Sequence, residues 1–243
     1  MFPNKTIRDE LAQYKYKIEL HCHTSPASPC ADFSPEDVIA TYKELGYDGV
    51  VITNHYNLDN STAYPTEEAY LDTFFDDYAR ACKAGEALGI TVCFGLELRF
   101  PENFNDYLVY GIDPEEARKL FPYVRDGSFE DFRKNYKGDY VLVQAHPYRD
   151  HMIPADKALL DGVELMNLHP NHNSRIGITA KMAREIDGIV TSGSDFHHPG
   201  QAGLGGMFTK VLPRDTKAVR DILRSGDYLL NLGGYPAIPA ILK

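Results

Sequence analysis

The stretch Ile18-Glu19-Leu20-His21-Cys22-His23 decides the reading of this chain, because a short apolar strand runs directly into two histidines separated by one residue. Residues two apart on an extended chain project to the same side, so His21 and His23 share a face while Cys22 points away. Such a pair can chelate one ion. The pattern recurs downstream. Val50-Val51-Ile52-Thr53-Asn54 ends in His55, Val92-Cys93-Phe94-Gly95-Leu96 in Glu97, and Val141-Leu142-Val143-Gln144-Ala145 in His146. Ile189-Val190-Thr191-Ser192-Gly193-Ser194 ends in Asp195, with His197 two residues further on.

Between these strands lie amphipathic segments, and the alternation is the signature of repeated βα units. Ser34-Pro35-Glu36-Asp37 reads as a helix start with Ser34 as N-cap, and Gly46 as its stop. A long helix is expected over residues 66–88, where Tyr70, Phe74, Tyr78, Ala81, Gly85 and Leu88 form one core-facing stripe. One strand is expected over residues 91–100, and the strand over 107–112 pairs back on it through a turn at 101–105. Further strands fall at 140–145, 162–166, 188–192, 208–212 and 228–230, with helices near 174–186 and 216–224.

In a parallel α/β barrel all strand C-termini lie on one face, so ligand-type residues spread from position 21 to position 197 converge on one pocket. Asp195 and His197 repeat the two-apart geometry, and Glu97 with Arg99 does so again. Burying several imidazoles and two carboxylates together is costly without a compensating cation. Imidazole nitrogen with carboxylate oxygen suits zinc, manganese or iron, whereas calcium takes oxygen ligands only.

Length and composition agree with this reading. The 243 residues, 43% hydrophobic and 25% charged, describe an ordinary globular protein, and one domain over residues 1–243 is expected. Apolar runs are far shorter than the roughly 20 residues that span a bilayer, so no membrane partner is expected. The opening MFPNKTIRDELAQYKYK has no apolar h-region, and a cytoplasmic location is expected. Four cysteines without CxxC pairing suit a reducing compartment. A net charge of -10 opposes a nucleic-acid polymer.

Together, His21-Cys22-His23-Thr24, Thr53-Asn54-His55, Gly95-Leu96-Glu97, Ala145-His146-Pro147 and Gly193-Ser194-Asp195-Phe196-His197 resemble the motifs of the polymerase and histidinol phosphatase (PHP) domain, in its order. The resemblance covers about residues 16–198. It implies a distorted, seven-stranded (β/α) TIM-like barrel carrying two or three divalent transition-metal ions that hydrolyses phosphoesters. Carried over, His21, His23, Glu97 and Asp195 hold one ion. Glu97 bridges to a second held with His146, and His55 and His197 hold a third. Asn54 stands where the family more often has Asp. Either Cys30 or Asp32 substitutes for a ligand usual after the His-x-His pair, or the third site is incomplete, and Asp106 stands where many relatives place a histidine.

The activity implied is that of a metal-dependent phosphoesterase acting on a small phosphorylated metabolite or nucleotide, with a hydroxide between two cations as nucleophile. Arg149 is the expected phosphate clamp, its competing role being a surface ion pair with Asp150. His197 is a candidate proton donor, Arg99 and Arg175 are further candidate clamps, and His169 and His172 are candidate lining residues. The segment Gly200-Gln201-Ala202-Gly203-Leu204-Gly205-Gly206 lacks the Walker lysine and reads as a flexible loop over the mouth. Competing functions are a metal-dependent amidohydrolase, in which a bridging lysine is common, an exonuclease, and a non-catalytic metal-stabilised PHP module.

Overall fold

Helices cross between the first strands and make them parallel, as the sequence pattern requires. In the computed structural model, which describes residues 4–239, β1 (Tyr16–Glu19) leads through the helix Pro35–Glu44 to β2 (Gly49–Ile52). Ser34 caps that helix by accepting the Asp37 N–H, Pro35 occupies its first turn, and Val38, Ile39 and Tyr42 are buried. The helix Glu67–Leu88 is capped by Thr66 and stopped by Gly89 in the left-handed region at φ 66°. It packs closely, since a Cβ on Gly85 would lie 2.7 Å from the Ile90 carbonyl oxygen and from Val92.

The remaining strands are β3 (His55–Tyr56), β4 (Thr91–Phe94), β5 (Leu96–Arg99), β6 (Asp106–Tyr110), β7 (Val141–Gln144), β8 (Gly162–Asn167), β9 (Ile189–Gly193), β10 (Met207–Thr209), β11 (Tyr228–Leu232) and β12 (Tyr235–Ala237). They form two mixed six-stranded sheets among the described residues, ordered β12-β11-β10-β1-β2-β4 and β3-β5-β6-β7-β8-β9. The fold is therefore α/β with mixed sheets. The strand expected over residues 91–100 is two, broken at Gly95, and its partner breaks at Thr53 and Asn54. A Cβ on Gly95 would come within 2.8 Å of Val51 and 2.9 Å of Thr53, so this crossing of the two breaks tolerates only glycine.

A closed seven-stranded barrel is not what the strands make. β6 runs antiparallel to both β5 and β7 through the expected hairpin, and β10 pairs antiparallel with β1 over Tyr16–Ile18. That pairing occupies the edge of β1 to which β9 would have to bond. Beyond β1, the backbones of the two segments pair as an isolated parallel bridge between Cys22 and Phe196, with Asp195 N–H donating to the His21 carbonyl at 3.0 Å. The glycine-rich segment makes this arrangement possible. A Cβ on Gly205 would lie 2.1 Å from Gly193, one on Gly206 would lie 2.1 Å from the Ile18 carbonyl, and Gly206 has φ 106°. The second half of that segment is thus packed into the sheet, where Tyr47 and Asn231 both donate to the Gly205 carbonyl. It is not a loop over the mouth.

Among the described residues, no helix is long and apolar enough to cross a membrane. The opening segment read as signal-free forms a helix over Asn4–Leu11, and residues 1–3 lie outside the described residues.

Candidate metal centre

The strand ends deliver their polar side chains to one buried cluster. His21 and His23 follow β1, His55 begins β3, Glu97 lies in β5, His146 follows β7, and Asp195 and His197 follow β9. All but His55 are buried. Two of these residues, His146 at φ 29° and Asp195 at φ 52°, adopt the left-handed region that non-glycine residues rarely take. Such strain, about 1–3 kcal/mol per residue, persists where surrounding contacts impose it. Here Glu164 accepts the His146 N–H at 3.1 Å, and the His21 carbonyl accepts that of Asp195.

Glu97 is the centre of the cluster. Its Oε1 lies 3.2 Å from Nε2 of both His21 and His146. Its Oε2 lies 3.4 Å from His23 Nε2 and 2.6 Å from His55 Nδ1. Asp195 Oδ1 is 3.4 Å from His21 Nε2 and 3.3 Å from His23 Nε2. His55 and His197 face each other through Nε2 at 3.5 Å. The ligand atoms group as His21, His23 and Asp195; as His21, Glu97 and His146; as His23, His55 and His197; and as His55, Glu97 and Asp106.

The imidazoles are oriented from outside. His21 gives Nδ1 to Glu164 at 2.8 Å. His23 places Nδ1 3.2 Å from the Ser28 hydroxyl, which donates to Asn54 and already accepts the His55 N–H, so the histidine must be the donor. His197 gives Nδ1 to the Asp195 carbonyl at 2.9 Å. Each ring therefore anchors Nδ1 outside and turns Nε2 inward, the arrangement of metal-ligating histidines. The Nε2 atoms of His21 and His23 stand 3.1 Å apart, a contact that requires a proton or a cation between them. Glu97 Oε2 and His55 Nδ1 are buried without a hydrogen bond despite their approach. The donor set fits a transition-metal ion.

Charge in the cluster is strongly coupled. Burial opposes protonation of His21, but Asp195, Glu164 and Glu97 outweigh it and hold its pKa well above the usual value. Burial also opposes ionisation of Glu97, yet His21 and His55 hold that carboxyl well below the carboxylate range. Burial together with His197 and His55 pushes His23 well below the usual value.

The other expected site residues fall around this group. Asp106 is gripped by Arg99 through two 2.8 Å bonds and lies 3.9 Å from His146 Nε2. Arg149 contacts Asp195 and donates to Asn167 Oδ1 at 2.9 Å, while Asp150 pairs with Arg175 instead. Cys30 shares a cavity of about 300 Å³ with His55, Arg149, His169, His172 and His197. Asp32 turns outward to His198 at 2.9 Å. Asn54 accepts the Thr24 N–H and donates to the Thr24 hydroxyl, both at 2.7 Å, so it braces the loop after His23.

Sequence reasoning missed Glu19, Asp77, Glu164 and Asn167. Glu164 joins His21 to His146, and Asn167 joins Glu164 to Asp195 through Nδ2. Asp77 accepts from the Thr24 hydroxyl and the Ala27 N–H. A signal existed for two of them, since Glu19 and Glu164 each stand between apolar neighbours, Ile18 and Leu20 or Val163 and Leu165, and a buried acid demands partners.

The profile of the PHP domain family matches residues 19–213, and the chain belongs to that family. Solved structures of similar fold include a two-domain protein from Bacteroides vulgatus containing a predicted PHP-like metal-dependent phosphoesterase (15% identity, TM-score 0.56). The match covers 88% of this chain and 64% of that one, so this chain spans less than two thirds of that protein's length. A Bifidobacterium adolescentis protein assigned as a metal-dependent phosphoesterase is 19% identical, with 86% and 96% of the two chains covered and a TM-score of 0.52. An amidohydrolase from Chromobacterium violaceum, with bound sulfate and no metal, is 16% identical, with 88% and 97% covered and a TM-score of 0.53. No curated protein matches the chain.

Proposed function

We propose that this chain is a metal-dependent phosphoesterase that releases phosphate from a small phosphorylated substrate. In this reading His21, His23, His55, Glu97, His146, Asp195 and His197 hold two or three divalent zinc, manganese or iron ions, with Asp106 at the margin of the set. The observation that carries it is the two-sided placement of Glu97, whose oxygens face separate imidazole pairs at 3.2 Å and at 3.4 and 2.6 Å. When bound, the ions supply Lewis acidity toward a phosphoryl oxygen and lower the pKa of a water.

The chain's own residues position the substrate. Arg149 commits Nη2 to Asp195 and Asn167, and its Nε is buried without a partner, which leaves donors of the fork for phosphate oxygens. Burial lowers the His169 pKa to about 4, so this ring is neutral near pH 7. Its Nδ1 accepts the Asn171 N–H, which makes Nε2–H a donor beside the cavity. His197 has spent its Nδ1 proton on the Asp195 carbonyl, so the geometry favours it as a ligand over a leaving-group acid. A cavity of about 300 Å³ suits a metabolite, and the charge of -10 disfavours a polyanion.

The test is a panel of nucleotides, sugar phosphates and histidinol phosphate, with cyclic amides alongside, assayed on metal-stripped protein reconstituted separately with manganese, zinc and iron. Metal-dependent phosphate release from at least one ester is expected. Cleavage of amides alone would replace this reading with the amidohydrolase, the class named for the Chromobacterium protein.

A further inference from the structure

A second cavity, of about 370 Å³, neighbours the one beside the metal centre, and Arg99 lines both. It lies between the segment that follows β3 and the turn joining β5 to β6, and the metal-binding reading gives it no task. Its walls differ from those of the first cavity, in which histidines predominate. Here stand the carboxylates of Asp59 and of Glu102, the latter also accepting the Phe129 N–H at 3.2 Å, and Phe104 stands at the wall with 59% of its surface exposed. The Arg99 guanidinium, fixed on Asp106, lies 6.0 Å from the Phe104 ring centroid and braces it.

A braced aromatic ring left largely in water is a surface prepared for an apolar partner, because covering it gains roughly 25 cal/mol per Å². The neighbouring carboxylates repel a second phosphate. They tolerate an uncharged ring and attract a cationic one. We propose that this cavity is the leaving-group subsite of the phosphoesterase and takes an aromatic or heteroaromatic ring, uncharged or cationic, stacked on Phe104. Since Arg99 lines both cavities, the ring is carried on a short linker beyond the ester oxygen. This inference rests on the phosphoesterase reading, and Phe104 acts in it as a specificity residue that touches the leaving group.

The experiment uses two inert probes, 3-phenylpropylphosphonate and propylphosphonate, titrated calorimetrically into manganese-reconstituted wild type, Phe104→Ala and Phe104→Tyr. Wild type and Phe104→Tyr should prefer the phenyl probe. Phe104→Ala should lose about threefold to tenfold of that preference, as the loss of one aromatic pair implies, with its affinity for propylphosphonate unchanged. An equal preference in wild type and Phe104→Ala, or binding of propylphosphonate with no gain from the ring, would overturn the subsite alone. If neither phosphonate binds metal-loaded wild type, the phosphoesterase reading falls and the subsite with it.

Discussion

Glu19 and Ser194 stand 175 residues apart in sequence, yet the buried Glu19 carboxylate accepts both the Ser194 backbone N–H, at 3.0 Å, and the Ser194 hydroxyl. The same carboxylate takes the N–H groups of Leu20 and His21 at 3.0 Å and the Tyr42 hydroxyl at 3.0 Å. It thereby fastens the strand end bearing His21 and His23 to the one bearing Asp195 and His197, where no continuous strand ladder does so.

Glu19→Ala strands five buried donors at that junction. At about 1–3 kcal/mol for each unsatisfied group, partly relieved by entering water, the metal-stripped variant should be less stable by more than about 3 kcal/mol in urea denaturation. A change below about 1 kcal/mol would mean that Glu19 does not fasten the two strand ends.

Glu97→Gln replaces a two-sided anion by a neutral amide that cannot serve two cations. The variant should keep its far-ultraviolet circular dichroism and lose turnover. Activity within about tenfold of wild type would count against a bridging role.

Arg149→Ala should raise KM, and lower kcat, by at least about tenfold, as the loss of a charge-assisted contact of roughly 1.5–3 kcal/mol implies. Arg149→Lys should recover only part of this, because an ammonium keeps the charge but not the fork. Metal content should hold, since His21 and His23 meet the other Asp195 oxygen, Oδ1. Wild-type kinetics in Arg149→Ala would move the clamp to Arg99 or Arg175.

The pH profile of the metal-stripped protein follows from opposed shifts. Burial disfavours charge on His21 and His55, but Asp195 and Glu164 for the first and Glu97 for the second raise both well above the usual value. A raised imidazole adds stability that is complete below about pH 6.5 and is lost as pH rises through the folded pKa. Glu97 and Asp195, held low by His21 with His55 and by His21 with Arg149, add stability above about pH 4 that is lost as pH falls through their folded values. His23, pushed low by burial with His197 and His55, withdraws stability as pH falls below about 6.5, so the melting midpoint should peak near pH 6.5 and decline toward pH 9. Bound metal replaces the protons, so the loaded protein should gain stability from pH 6 to 8. A stripped-protein midpoint that climbs from about pH 6.5 toward pH 9 would contradict this account.

Local signals carried much of the fold. Ser34 and Thr66 cap their helices, Gly89 ends the long one, and β5 turns back into β6, all from residue types whose geometry is short-range. What sequence reading lost depends on long-range pairing. Nothing local to residues 207–209 announces that they will bond to β1 and keep β9 from closing a barrel. The break at Gly95 follows from contact with Val51 and Thr53, more than 40 positions earlier. For the site, ligand types at strand ends were legible, whereas Asn167 was not, since its role is set by Glu164 and Asp195.

The central claim is that the inward-facing imidazoles and carboxylates hold transition-metal ions, and elemental analysis of protein purified without chelator tests it most directly. At least one equivalent of zinc, manganese or iron per chain is expected. His21→Ala should lose it, and the variant of the exposed His151, His151→Ala, should keep it. Less than about 0.2 equivalents of every metal in wild type, with no activity regained on adding manganese, zinc or iron, would contradict the account.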